Sequence, residues 1–317
     1  MPLPPPDFAS PTPMESGQYP CILALCTLAV WLIVSSAFGQ EPTASQRGEY
    51  MLRAAGGCSC HTDIQNKGPF LAGGRPIKTP FGSVYSTNIT PDRQTGIGAW
   101  SDADFLKAMT QGVGPHGTLY FPVFPYTSFT RMTEPDLLDL KAYLFSVPPV
   151  VRQAKPPDLS PPFGWRAGLR VWRWLYFRPG PFQPDPSQSP EWNRGAYLAT
   201  AVGHCGECHT PRNSLGGLQS AMYYAGTADG PEGQLAPNIT PDKATGLGAW
   251  NVADIVWFLQ TGFKPNGDDA QGLMSELIDN GFKYLTEADL RAIAVYLQSL
   301  KPIPNKVQAK TKPPKAP

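Results

Sequence analysis

Cys205-Gly206-Glu207-Cys208-His209 sets two thiols three residues apart with an imidazole directly behind them. On a helical turn residues three apart share a face. Both sulfurs can therefore add to the two vinyl groups of one porphyrin, while His209 turns onto the iron as proximal ligand. Zinc is the rival chemistry, but it needs two further cysteine or histidine ligands at suitable spacing, and only His116 and His204 remain. A second motif, Cys58-Ser59-Cys60-His61, carries the same side-chain types in a stretch one residue shorter. Four of the six cysteines thus stand just ahead of a histidine. That pattern reads as two covalently bound haem c groups rather than as a disulfide framework.

The short motif poses a geometric problem. Cys60 adjoins His61 as Cys208 adjoins His209, but residues two apart lie on nearly opposite sides of a helix. In a regular turn Cys58 is displaced by about 100° from where its thiol should point. The expectation is attachment of the first haem mainly through Cys60, unless Gly56-Gly57 distorts the turn. Distal ligands are also uneven. Met274 lies 24 residues after Trp250, in the loop expected before the last helix. The same count from Trp100 reaches Phe124, which has no thioether. Met132 follows eight residues later, but its repeat partner is Leu285, so a core role competes with ligation. An open sixth site and His116, in a Gly-Pro-His-Gly turn, are the other readings for the first iron.

The elements that position these groups come in two copies. Asn88–Trp100 and Asn238–Trp250 agree at ten of thirteen positions. Arg47-Gly48-Glu49-Tyr50 answers Arg194-Gly195-Ala196-Tyr197, and the segment from Met132 to Leu144 answers Leu285 to Leu297. The repeat implies two copies of one domain, at 45–150 and 187–303. In each, a short helix leads into the Cys/His motif, in the second copy capped by Ser189 with Pro190 in its first turn. A Gly/Pro loop follows, then a helix starting at Ser101 or Asn251 with Asp three residues on. A last helix starts at Thr133 or Thr286, and in the second copy Leu290, Ile293, Ala294 and Leu297 form its apolar stripe. The fold class is all-α: two small, loop-rich domains.

Composition agrees with that plan. Of 317 residues, 37 are proline and 31 glycine, which suits short helices between long loops. There is no GxGxxG or P-loop, and no alternation of strand and long helix. The net charge of +1 excludes a chain-wide basic field, so nucleic acid is not an expected partner. The linker at 151–186 is rich in proline and aromatics, and reads as semi-rigid and packed between the domains. Its Arg166, Arg170, Arg173 and Arg178 interleave with Trp165, Trp172 and Trp174, so a membrane-interface patch is the alternative. Residues 1–39 read as a disordered head followed by an uncharged apolar run at 21–39, a cleaved signal or a retained membrane anchor. Both readings export the remainder to the periplasm, soluble after cleavage or held at the inner membrane. The Lys/Pro-rich tail, 304–317, is expected to be disordered.

With these motifs in view the chain resembles the diheme cytochrome c family, whose members are cytochrome subunits of membrane-associated alcohol, aldehyde or molybdenum-hydroxylase-type dehydrogenases. The likeness covers about 45–303 and rests on RGEY and RGAY, the two NITPD…TGxGAW segments, FRPGPF at 177–182 and GHCGECHTPRN at 203–213. It implies tandem class I cytochrome-c-like domains, with haem held by Cys58, Cys60, Cys205 and Cys208. Iron would be bound by His61 and His209, with Met274 and Met132 as distal ligands. It also implies an electron relay from the catalytic subunit of a dehydrogenase to quinone, a small cytochrome or an oxidase. The rival readings are a diheme peroxidase or small-oxyanion oxidoreductase with an open first site, and an assembly subunit with degenerate haem sites.

Overall fold

The computed structural model describes residues 41–309. The apolar run at 21–39 and the end of the Lys/Pro tail lie outside the described residues, as does the expected signal or anchor. Among the described residues no helix is long and apolar enough to cross a membrane.

The chain is mostly helical. Helix α1 (Ala44–Ala54) begins at Thr43, whose hydroxyl accepts from the Gln46 amide while the Gln46 side chain accepts from the Thr43 N–H. A tight turn (Gly56–His61) carries the first Cys/His motif. Strands β1 (Pro76–Thr79) and β2 (Gly82–Tyr85) follow, then α2 (Asp102–Gln111), the one-turn α3 (Tyr126–Phe129) and α4 (Glu134–Leu144). After β3 (Asp158–Leu159) comes α5 (Arg166–Tyr176). The second half then runs α6 (Pro190–Tyr197), a wide π turn (Leu198–Val202), α7 (Cys205–His209), α8 (Val252–Thr261), α9 (Gly272–Asn280) and α10 (Glu287–Ser299).

The expected starts are all present. Ser101 and Asn251 each accept from the amide three residues on, and Asp104 and Asp254 return the bond to the cap amide. Thr133, Ser189 and Thr286 cap α4, α6 and α10. Leu290, Ile293, Ala294 and Leu297 are all buried. The all-α expectation needs one correction: a small antiparallel sheet in the order β1-β2-β3, with Ile77 opposite Val84 and Ser83 opposite Asp158. Two four-residue strands around Pro80-Phe81 are too short to show a period, and β3 arrives from beyond the last helix of the first half.

In each half the first and last helices cross at a glycine. A Cβ on Gly48 would sit 1.8 Å from the Asp139 carbonyl oxygen, and one on Gly195 would sit 1.9 Å from that of Ala292. That is why RGEY and RGAY share their second residue: only glycine lets the backbones approach so closely. Beside each crossing an arginine grips the last helix, Arg47 on Asp139 and Arg194 on Asp289.

The repeated Asn-Ile-Thr-Pro-Asp segments close each half. Asn88 Nδ2 donates to the Val150 carbonyl at 2.7 Å and Asn238 Nδ2 to the Ile303 carbonyl at 2.8 Å. Asp92 and Asp242 accept from the Thr95 and Thr245 amides and hydroxyls, fixing the following turn. The tail is therefore ordered further than its composition suggests. The Asn305 N–H donates to the Thr245 hydroxyl oxygen, and its side-chain amide donates to the Ala225 carbonyl.

The halves are tied reciprocally. Tyr50 of α1 donates to Asp289 of α10 at 2.6 Å and takes the Thr286 N–H. Tyr197 of α6 donates to Asp136 of α4 at 2.5 Å and takes the Thr133 N–H. One hydrophobic cluster runs through both halves, with Leu52, Leu137, Leu198, Ile255 and Leu290 fully enclosed.

Candidate haem-attachment sites

In the second motif the wide π turn delivers the chain to His204, which is left-handed (φ 39°), and Cys205–His209 then form a single helical turn. The first motif reaches its histidine differently. Gly56, Gly57 and Cys58 are left-handed in succession (φ 78°, 73° and 49°), so no regular turn runs from Cys58 to His61. The assumption of a regular helix behind the expected displacement of Cys58 is thus corrected. Two glycines without Cβ strain re-aim the residue after them. The bend is also packed into place: a Cβ on Gly56 would meet Leu277 Cδ2 at 2.3 Å, and one on Gly57 the Asn280 carbonyl oxygen at 2.5 Å.

The bend gives the two motifs matching surroundings. Cys58 lies within electrostatic reach of Tyr143 of α4, and Cys205 within reach of the repeat-equivalent Tyr296 of α10. Burial pushes Cys58, Cys205 and Cys208 up to about 12, and raises Cys60 as well, so all four are neutral thiols. A Cβ on Gly203, two residues before Cys205, would lie 3.4 Å from the Ala54 carbonyl oxygen, so the leads into the two motifs approach each other across the halves.

The histidines are set identically. His61 Nδ1 lies 2.7 Å from the Thr87 carbonyl oxygen, and His209 Nδ1 lies 2.7 Å from that of Pro237. A carbonyl can only accept, so Nδ1 carries the proton and Nε2 keeps the lone pair. Burial lowers both histidines below their ordinary value despite these bonds, favouring the neutral imidazole a metal requires. A second partner on the far nitrogen is the usual support of a ligating histidine. Thr87 and Pro237 went unnoticed in the sequence, although each immediately precedes a repeated Asn-Ile-Thr-Pro-Asp. The repeat's position was the signal.

No protein-family model matches the chain. A diheme cytochrome c-type protein of Cereibacter sphaeroides is 40% identical over 258 residues, covering 80% of this chain and 85% of the relative. The chain belongs to the diheme cytochrome c family. The cytochrome is also 40% identical over 286 residues to the cytochrome c subunit of a quinone alcohol dehydrogenase from Gluconacetobacter polyoxogenes, and 40% over 266 residues to the fructose dehydrogenase cytochrome subunit of Gluconobacter japonicus. Those matches cover 86% and 83% of this chain but 60% and 54% of the relatives, so the cytochrome spans little more than half their length.

The donor set fits haem c: per motif, two neutral thiols and one imidazole with a free Nε2. Among the described residues no group of three or more His, Cys, Asp and Glu side chains gathers as a bare-metal site.

The distal candidates sit as follows. Met274 is on α9, not in a loop, because Leu273, Leu277 and Ile278 give this segment an apolar face and Gly281 ends it. It is half-buried against the core. The far end of the same helix covers Gly56 and Gly57 of the other half. Met132 is 3% exposed in the core, as is its partner Leu285 at 5%. It lines a cavity of about 330 Å³ with Leu106, Thr130, Leu137 and Pro179–Pro181. The FRPGPF segment braces that loop, Gly180 donating to the Thr130 hydroxyl and Phe182 to the Arg131 carbonyl. His116 is exposed.

Two further groups belong to the sites. Glu207, inside the second motif and buried, accepts from the Thr127 and Ser128 hydroxyls of α3 and from Arg212 at 2.5 Å. Phe129 of the same α3 sets its edge against His204. On the other motif Arg75, 6% exposed at its side chain, pairs with Glu276 at 2.6 Å and Glu232 at 3.2 Å from the second half. Each motif is thus braced by the opposite half, which no local pattern announces.

Proposed function

We propose that the chain is a periplasmic electron relay built from two tandem class I cytochrome-c-like domains, taking electrons from the catalytic subunit of a dehydrogenase. The acceptor in this reading is quinone, a small cytochrome or an oxidase. The observation that carries it is the duplicated histidine geometry, each Nδ1 held by a backbone carbonyl and each Nε2 left as a donor beside two thiols. Haem iron, when bound, supplies a one-electron couple.

The chain's own residues then have distinct tasks. Cys58, Cys60, Cys205 and Cys208 supply thiols for attachment, and His61 and His209 supply imidazole nitrogens. Met274 supplies a thioether to the second iron, and Met132 is the candidate for the first. The relatives support a dehydrogenase as donor, since two of them are named cytochrome subunits of dehydrogenases.

The test is haem content and turnover of the purified full chain. Two haems per chain that resist acid–acetone, and prompt reduction only when a partner dehydrogenase and its substrate are added, are the expected results. Met274→Ala should abolish the near-infrared sulfur-to-iron band of the second haem and lower its potential. Extractable haem alone overturns the reading, and rapid peroxide turnover without a partner replaces it by the peroxidase.

A further inference from the structure

Helix α5 has two faces, and among the described residues only one of them has a partner. Leu169, Trp172 and Tyr176, at i, i+3 and i+7, point inward. Trp172 Nε1 donates to the Leu215 carbonyl at 2.9 Å, and Tyr176 takes the Asn213 amide at 3.1 Å. Arg166 and Arg173 donate to the Leu119 and Gln111 carbonyls of the first half and lie over the Phe121 and Phe177 rings. The helix is therefore fixed to both halves by its inner face.

The outer face is apolar. Ala167, Val171, Trp174 and Leu175, at i, i+4, i+7 and i+8, form one arc, with Val171 59% and Trp174 76% exposed. Trp165, 65% exposed, and Phe163 extend it at the helix start. A large tryptophan left in water at the crest of a helix forgoes about 1.5–3 kcal/mol of burial. Its polar borders are cationic. Residues 159–184 contain four arginines and neither an aspartate nor a glutamate, in a chain whose total charge is +1. Positive charge is thus concentrated on this segment, and the rest of the chain is net acidic.

We propose that α5 is an interfacial helix that lays Trp165, Val171, Trp174 and Leu175 into the surface of an anionic phospholipid membrane. A convex apolar ridge flanked by arginine suits the boundary between headgroups and acyl chains, where tryptophan rings settle. A protein partner would call for a pocket to receive the ridge, whereas a lipid surface receives it in any orientation about the membrane normal. The absence of acidic residues along the segment selects anionic over zwitterionic lipid.

The test uses the full-length cytochrome with large vesicles of phosphatidylcholine alone or mixed with phosphatidylglycerol. Hydroxyl-radical labelling read by mass spectrometry reports Trp165 and Trp174 individually, so binding through the N-terminal run does not imitate the signal. Labelling of both tryptophans should fall several-fold with mixed vesicles and stay unchanged with phosphatidylcholine alone. Trp174→Asp should remove the protection of Trp165. Arg170→Glu, an outward substitution that leaves the inner face intact, should raise the vesicle concentration for half-protection by roughly tenfold. Unchanged labelling with mixed vesicles overturns the proposal, as does equal protection by neutral vesicles. Protection that appears only when a dehydrogenase subunit is added without lipid also overturns it and gives the ridge to a protein.

Discussion

The two Cys/His motifs reach similar surroundings by opposite means. The second has the full spacing, enters through a π turn and needs one left-handed residue, His204. The first is one residue short, enters directly from α1 and needs three left-handed residues in a row. Yet Cys58 and Cys205 lie within electrostatic reach of equivalent tyrosines, and His61 and His209 meet equivalent carbonyls at the same 2.7 Å. The lesson is that the fold holds the positions of the functional atoms and lets the backbone between them vary, provided glycine is available where the path turns left-handed.

The largest expected effect tests that proviso. Gly57→Ala places a Cβ against the Asn280 backbone at φ 73°, and backbone obstacles do not swing aside. Strain and overlap together should cost about 2–5 kcal/mol and deplete the first haem selectively. Gly206→Ala in the second motif first meets the Tyr223 side chain rather than backbone, and should cost about 1–2 kcal/mol with both haems retained. Denaturant melts and haemochrome assay measure both. Equal losses would break the comparison.

An intermediate effect concerns the reciprocal tyrosines. Tyr197→Phe leaves Asp136 and the Thr133 N–H without the phenol, and should cost about 1.5–3 kcal/mol. Tyr50→Phe bares the Thr286 N–H in the same way but should cost only about 0.5–1.5 kcal/mol, because Arg194 still holds Asp289 through two bonds. Urea midpoints at neutral pH read the difference, and a larger loss at Tyr50 would reverse the assignment.

That retained pair carries a pH signature. Burial raises Asp289, but hydrogen bonds from Arg194 and Tyr50 outweigh it and hold the carboxyl below its ordinary 3.8. With the folded value below the unfolded one, its stabilisation is complete above about pH 4 and is lost as pH falls through the folded value. Asp289→Asn should therefore flatten the acid side of the stability profile, measured as urea midpoints between about pH 6 and about pH 3. An unaltered slope would assign acid sensitivity to other carboxylates.

The smallest change, in mass alone, sharpens the comparison most. If the left-handed bend presents Cys58 as the second motif presents Cys205, peptide mass spectrometry will find thioethers at both Cys58 and Cys60. A free Cys58 in most molecules would mean that matching surroundings do not suffice, and that the spacing itself decides attachment.

Much of this was legible in one dimension. The cysteine–histidine clusters, the caps at Ser101, Asn251, Thr133, Ser189 and Thr286, and the stripe of α10 are local patterns whose physics acts within one or two helical turns. The three-stranded sheet was not legible, because β3 pairs with a strand more than seventy residues earlier and neither is long enough to show alternation. Met274 was misplaced in a loop because nine residues of helix give too little periodicity, and the ordered Asn305 was missed because its partners lie sixty and eighty residues away.

By itself, then, the sequence determined the chemistry on offer: two thiol–imidazole sets, duplicated, on short capped helices. These follow from side-chain type and from spacing within a turn. Only the tertiary structure decided which nitrogen of each histidine is free, that the short motif bends left-handed, and that Glu207 and Arg75 are each gripped by the opposite half. It also decided which face of α5 is left without a partner among the described residues. Those outcomes depend on which distant backbone or side chain arrives alongside, and hydrogen bonds and packing across the halves settle that only when the chain is folded.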